Sequence, residues 1–177
     1  GYYALLATHS ILKIPRLFRV KSLYRYFGVF VTIDRYGETH GCMGYWDKDR
    51  KIIDDTMLNN KIYTTAYSAC FKDPRSKQFS LFTDDVNKTI IKVSLMKKHS
   101  IHTINKDTGI MDDNNPFDNN EWGIIVYKDK VPGATFLPKV FNNKPFHEIL
   151  ELICDKARFS ISDNIKLYAY KTKVESI

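Results

Sequence analysis

Short runs of β-branched and aromatic residues, joined by links of hairpin length, dominate the pattern of this chain. Residues 28–35, GVFVTIDR, read as a strand. Tyr36-Gly37-Glu38 reads as a turn, and a second strand runs from Thr39 to Trp46. A link this short predicts that the two strands pair as antiparallel neighbours. Residues 89–97, TIIKVSLMK, alternate as a half-buried strand, and 122–127, 133–138 and 165–174 complete the set. Helical spacing marks 2–13, where Tyr3, Leu6, Ala7, Ser10 and Ile11 share a face, then 54–71 and 145–157. Thr83 reads as the cap of one short helical turn. The order α-β-β-α-β-β-β-α-β holds few βαβ units. It predicts an α+β fold with a mainly antiparallel central sheet flanked by helices and a smaller lobe. At 177 residues the chain is expected to form one domain over 1–177.

With 44% hydrophobic residues the chain can build its own core without a staple. Cys42, Cys70 and Cys154 are odd in number and widely spaced, which argues against a disulfide framework or a cysteine zinc site. That usage favours a reducing compartment, so an intracellular location, cytoplasmic or nuclear, is expected. No apolar run approaches the roughly 20 residues of a membrane span, and no membrane partner is expected. Cys70 and Cys154 fall on apolar helix faces and read as buried thiols. The polar stretch 104–120 reads as a long mobile loop. Its acids fit no calcium loop, and the histidines have no metal spacing, so no metal is predicted.

The net charge is +7. No acid precedes Asp34, whereas Lys13, Arg16, Arg19, Lys21 and Arg25 all do, interleaved with Phe18, Tyr24, Tyr26 and Phe27. Cations for phosphates and rings for bases suit a nucleic-acid surface. The same pattern also describes a basic face around buried aromatic anchors. RNA, an anionic small molecule and a protein partner all remain open.

Several segments occur in a fixed order: GVFVTI at 28–33, THGCMG at 39–44, DPR at 73–75, KVSL at 92–95, ATFLPKV at 134–140, LICDKARF at 152–159 and LYAYK at 167–171. This ordered set resembles the AMMECR family and spans nearly the whole chain. The resemblance implies an α+β domain whose motifs form an active or binding cleft. The chain departs from the family pattern at His40, where arginine is usual, at Met43, at Trp122, where histidine is usual, and at Thr8-His9 after Ala7.

Two functional classes follow. In the first, Cys42 is a nucleophile acting on a small or nucleotide-like anionic substrate. A free thiol near pKa ~8.5 needs a nearby cation to become a thiolate at neutral pH. His40, two residues away in an extended segment, is expected on the same side. Gly41 and Gly44 allow close backbone approach, and Arg75 offers a planar fork for a carboxylate or phosphate. In the second class the same residues form a non-catalytic binding or scaffold surface. Asp73-Pro74-Arg75 reads either as part of the cleft or as a structural turn with an internal ion pair. Trp122 either stacks a planar ligand or covers the core edge. Thr135 either lines a pocket or permits sheet packing. The chain has no GxGxxG, P-loop or GxSxG pattern, and no cofactor is expected.

Overall fold

The structure, a computed structural model, describes residues 25–78, 89–141 and 143–176. The expected first helix, the Thr83 turn and the basic residues Lys13, Arg16, Arg19 and Lys21 lie outside these residues. The described residues fall into two compact units, one within 1–95 and 173–177, the other within 96–172.

The first unit holds strands β1 (Tyr26–Arg35) and β2 (Glu38–Trp46), helix α1 (Asp55–Phe71), strand β3 (Thr89–Lys97) and strand β8 (Thr172–Ser176). The sheet order is β2-β1-β3-β8, which leaves β2 at an edge. β1 and β2 pair in antiparallel across the expected two-residue turn, from Gly28 opposite Trp46 to Arg35 opposite Glu38. Tyr36 and Gly37 both have positive φ, as a twist-matched hairpin turn requires. A register shift between Ile33 and Asp34 sets Asp34 opposite Thr39 and Ile33 opposite Gly41. His40 is thereby the extra residue of a bulge.

Alternation along β1 sends Val29 and Val31 to one face, where they pack with Val93, Leu95 and the α1 residues Leu58, Ile62 and Ala66. The helix starts where the Asp54 side chain accepts the Met57 N–H at 2.8 Å, satisfying one of the orphan donors of its first turn. It stops before Asp73-Pro74, because the residue before a proline avoids helical geometry. Directly after it, Pro74–Gln78 form a short 3-10 turn.

The second unit contains β4 (His102–Ile104), β5 (Gly123–Lys128), β6 (Val131–Phe136), helix α2 (Phe146–Ala157) and β7 (Ile165–Tyr170), with sheet order β4-β7-β5-β6. Ile149, Leu150, Ile153 and Cys154 of α2 pack with Ile124, Val126, Leu167 and Ala169. The α+β reading holds, with the strands divided between two four-stranded antiparallel sheets. The expected single strand 165–174 is two strands: it pairs in one sheet up to Tyr170 and in the other from Thr172.

The stretch 104–120 corrects the expectation of a mobile loop. Its polar residues close tight turns on themselves. Asn105 Oδ1 accepts the N–H groups of Asp107 and Thr108, and Asp113 and Asp118 each accept the N–H two residues on. These turns seat Met111 and Phe117 in the core, at 3% and 9% exposure. A sequence of Asn and Asp pairs is polar in composition yet can satisfy its own backbone, which frees its few apolar residues to be buried.

Candidate functional site

Cys42 lies on the edge strand β2, opposite Thr32 of β1. The pairing places Cys42, Gly44 and Trp46 on the sheet face shared by Phe30 and Thr32, away from the α1 core. Gly44 is covered by the Phe30 ring, into which any Cβ would project, and the same ring stacks against Trp46 with centroids 6.1 Å apart. The Thr32 hydroxyl donates to Cys42 Sγ at 3.2 Å, and Cys42 is partly exposed.

Gly41 faces the other way, toward the end of α1. A Cβ at this position would fall on the Ala69 carbonyl oxygen. The missing side chain lets the helix end lie directly on the strand, and this brings Asp73 to the strand edge. Asp73 Oδ2 accepts the Cys42 backbone N–H at 2.9 Å. Its other partner is Arg75, whose Nε donates to Oδ1 at 2.9 Å and whose Nη2 donates to Oδ2 at 2.7 Å. The Arg75 backbone N–H also donates to Oδ1. The Arg75 pairing, ahead of these backbone donors, holds the buried Asp73 carboxyl well below the usual carboxylate range. Arg75 is raised above its ordinary value, first by Asp73, with a further contribution from the nearby Cys42 thiol. Its side chain is 53% exposed, and Nη1 has no hydrogen bond among the described residues.

Gly41, Cys42, Asp73 and Arg75 are therefore brought together. His40 is placed differently from expectation. The bulge interrupts the alternation on which a shared face with Cys42 depends, and the residue is buried at 8% exposure. Near it, burial raises the Asp34 carboxyl, but hydrogen bonds from Lys92 at 2.6 Å and from Thr39 hold it below its ordinary range, with His40 the smallest contribution. Of the basic cluster only Arg25 is described, and it is exposed.

Trp122 and Thr135 belong to the second unit. Trp122 packs against that unit's core, meets the His102 ring edge-on at 5.2 Å and carries the Lys171 ammonium over its face at 4.5 Å. Thr135 is buried and donates to the Ile124 carbonyl at 2.8 Å, with the Tyr170 hydroxyl 2.9 Å away. Of the two thiols expected in cores, Cys154 is buried and Cys70 only partly so. Burial pushes the Cys70 thiol up to about 11.

Spacing arguments miss one arrangement in this second unit. His102 Nδ1 lies 2.6 Å from Asp112 Oδ1, beside a cleft of about 490 Å³ lined by Thr103, Asn105, Met111, Asp112 and others. The Thr103 N–H first, then His102, holds the Asp112 carboxyl below its ordinary range. The two residues are ten apart, and only the turn at 105–110 brings them together, so no local pattern signals the pair. Among the described residues no group of three His, Cys, Asp or Glu is placed to hold a metal ion, and no helix is long and apolar enough to cross a membrane.

The AMMECR1 family model matches residues 5–175. No curated protein matches the chain at a significant level.

Proposed function

Because the chain belongs to the AMMECR1 family, we propose that it is a binding module of that family and that the β2 edge around Arg75 and Cys42 takes an anionic group. One family model spans 5–175, and we read both units as parts of a single domain over 1–177. The observation that carries the reading is the held arginine. Asp73 fixes the guanidinium plane through two donors and leaves half the side chain open. A fork held this way presents its remaining donors with little further ordering to lose on binding. Its natural ligand is a phosphate or carboxylate, presented by a small molecule, an RNA or a protein partner. Calorimetric titration with inorganic phosphate and with a mononucleotide tests this. Arg75→Ala should abolish saturable binding. Arg75→Lys, which keeps the charge and loses the fork, should weaken it about tenfold, the loss of one charge-assisted hydrogen bond. Binding unchanged in Arg75→Ala would refute the assignment.

A second reading makes Cys42 a nucleophile. The Thr32 hydroxyl donates to Sγ, and the Arg75 guanidinium lies near enough to act on it electrostatically. Asp73 does not serve it as a base, since its oxygens already accept four hydrogen bonds and its proton affinity is low. Alkylation by iodoacetamide decides the matter, since the thiolate is the form that reacts. We expect slower labelling in Arg75→Ala and no change in His40→Gln. Slow labelling in wild type and variants alike would end the enzyme reading.

A further inference from the structure

Strand β2 ends its sheet on one side, and its outer edge turns backbone donors and acceptors outward. Their direction follows from the pairing with β1. The Asp47 N–H donates to the Phe27 carbonyl at 2.8 Å, so the ladder bonds fall on every second pair from there: Val29 with Tyr45, Val31 with Met43, Ile33 with Gly41. Cys42, Gly44 and Trp46 stand on the pairs between, with N–H and C=O groups directed away from β1. The Cys42 N–H bears this out, since Asp73 takes it from outside the sheet. Gly44 is exposed, and among the described residues nothing bonds its outward groups. Exposed edges are ordinarily blunted by charge or proline. Residues 41–46, GCMGYW, hold neither.

An open row of this kind pairs with an extended chain, and the groups beside it select which chain. At the Cys42 end, the Asp73 carboxylate already stands where an added strand would place its next carbonyl, so that strand stops there. Arg75 is held by the same carboxylate, and its side chain is half exposed. A strand antiparallel to β2 reaches this point with its C-terminus, and its terminal carboxylate meets a guanidinium fork. A parallel strand would bring an ammonium there instead, against a like charge. The residue paired with Gly44 turns its side chain to the face where the Phe30 ring covers the glycine and stacks on Trp46. An apolar side chain suits that position. We infer, resting on the anion-binding reading of Arg75, that β2 takes the C-terminal tail of a partner protein as an added antiparallel strand, with the tail's terminal carboxylate on Arg75.

Calorimetry on the full chain tests this, with a short acetylated peptide of alternating threonine and valine, and with acetate and inorganic phosphate titrated alongside. The peptide with a free terminal carboxylate should bind at least about tenfold more tightly than acetate, because backbone hydrogen bonds to Gly44 add to the carboxylate contact. Its C-terminal amide should bind about tenfold more weakly than the acid, the loss of one charge-assisted hydrogen bond. Arg75→Ala should erase the difference between acid and amide. N-methylation of alternate peptide amides leaves the protein untouched and reads the pairing. One alternate set should abolish binding, and the other, whose N–H groups point away from β2, should be tolerated. With peptide at about ten times its Kd, exchange of the Gly44 amide proton should slow about tenfold, while the Met43 and Tyr45 amides, already bonded to β1, stay as they were. Phosphate binding that depends on Arg75, with no gain of the peptide over acetate, overturns the inference and leaves the anion reading intact. No Arg75-dependent binding of phosphate, acetate or peptide removes both. An amide that binds as well as the acid overturns the placing of the carboxylate, and N-methyl effects without a period of two overturn the added strand.

Discussion

At Asp73 one buried carboxylate accepts four hydrogen bonds and joins three parts of the first unit: the edge strand, the helix end and Arg75. Its folded pKa lies below the unfolded value near ~3.9. The stability it contributes is therefore present above pH ~4 and is lost as pH falls toward the folded value. Asp73→Asn should cost about 2 kcal/mol at neutral pH, less than for a fully buried ion pair because Arg75 is half exposed. It should also flatten the wild-type loss of stability below pH ~4, which denaturant melts across that range will show. The two glycines of β2 separate by what surrounds them. Gly41→Ala drives a methyl into the Ala69 backbone oxygen and should cost about 3 kcal/mol, whereas Gly44→Ala meets a Phe30 ring that can swing aside and should cost about 1 kcal/mol. Equal melting temperatures for the two variants would contradict this. The grouping of Gly41, Cys42, Asp73 and Arg75 was legible in the motifs as a list, because each type has chemistry suited to a cleft. That the one Asp73 carboxylate takes both the Cys42 amide and the Arg75 fork was not, since it depends on a contact across 31 residues. The His40 side was misjudged because a bulge shifts register without any local signature.

Among the elements, the strands and helices carrying a strong period were readable nearly to their ends, as for β3 and α1. Failures came where pairing decides. The three-residue β4 is too short to show a period, and β7 and β8 form one alternating run that only the two sheets divide. The β5–β6 turn shows a cost the sequence hides. Asp129 and Lys130 both adopt positive φ, at 48° and 70°, a region glycine enters freely and lysine does not. Lys130→Gly should raise stability by about 1 kcal/mol, measured by urea unfolding with an unchanged slope. A loss of stability would mean that the Lys130 side chain holds the turn by a contact outweighing its strain.

For the molecule as a whole, a formal charge of +7 draws anions to the surface without selecting among them. Selection needs a fixed donor set, and Arg75 on Asp73 beside Cys42 is the one we assign. The decisive measurement is a phosphate titration followed by amide and guanidinium nitrogen resonances. We expect saturable shifts at the Arg75 Nε–H and the Cys42 amide, with Arg75→Ala abolishing the Cys42 response. A Cys42 amide that never shifts, or that shifts to the same extent in Arg75→Ala, would contradict the account.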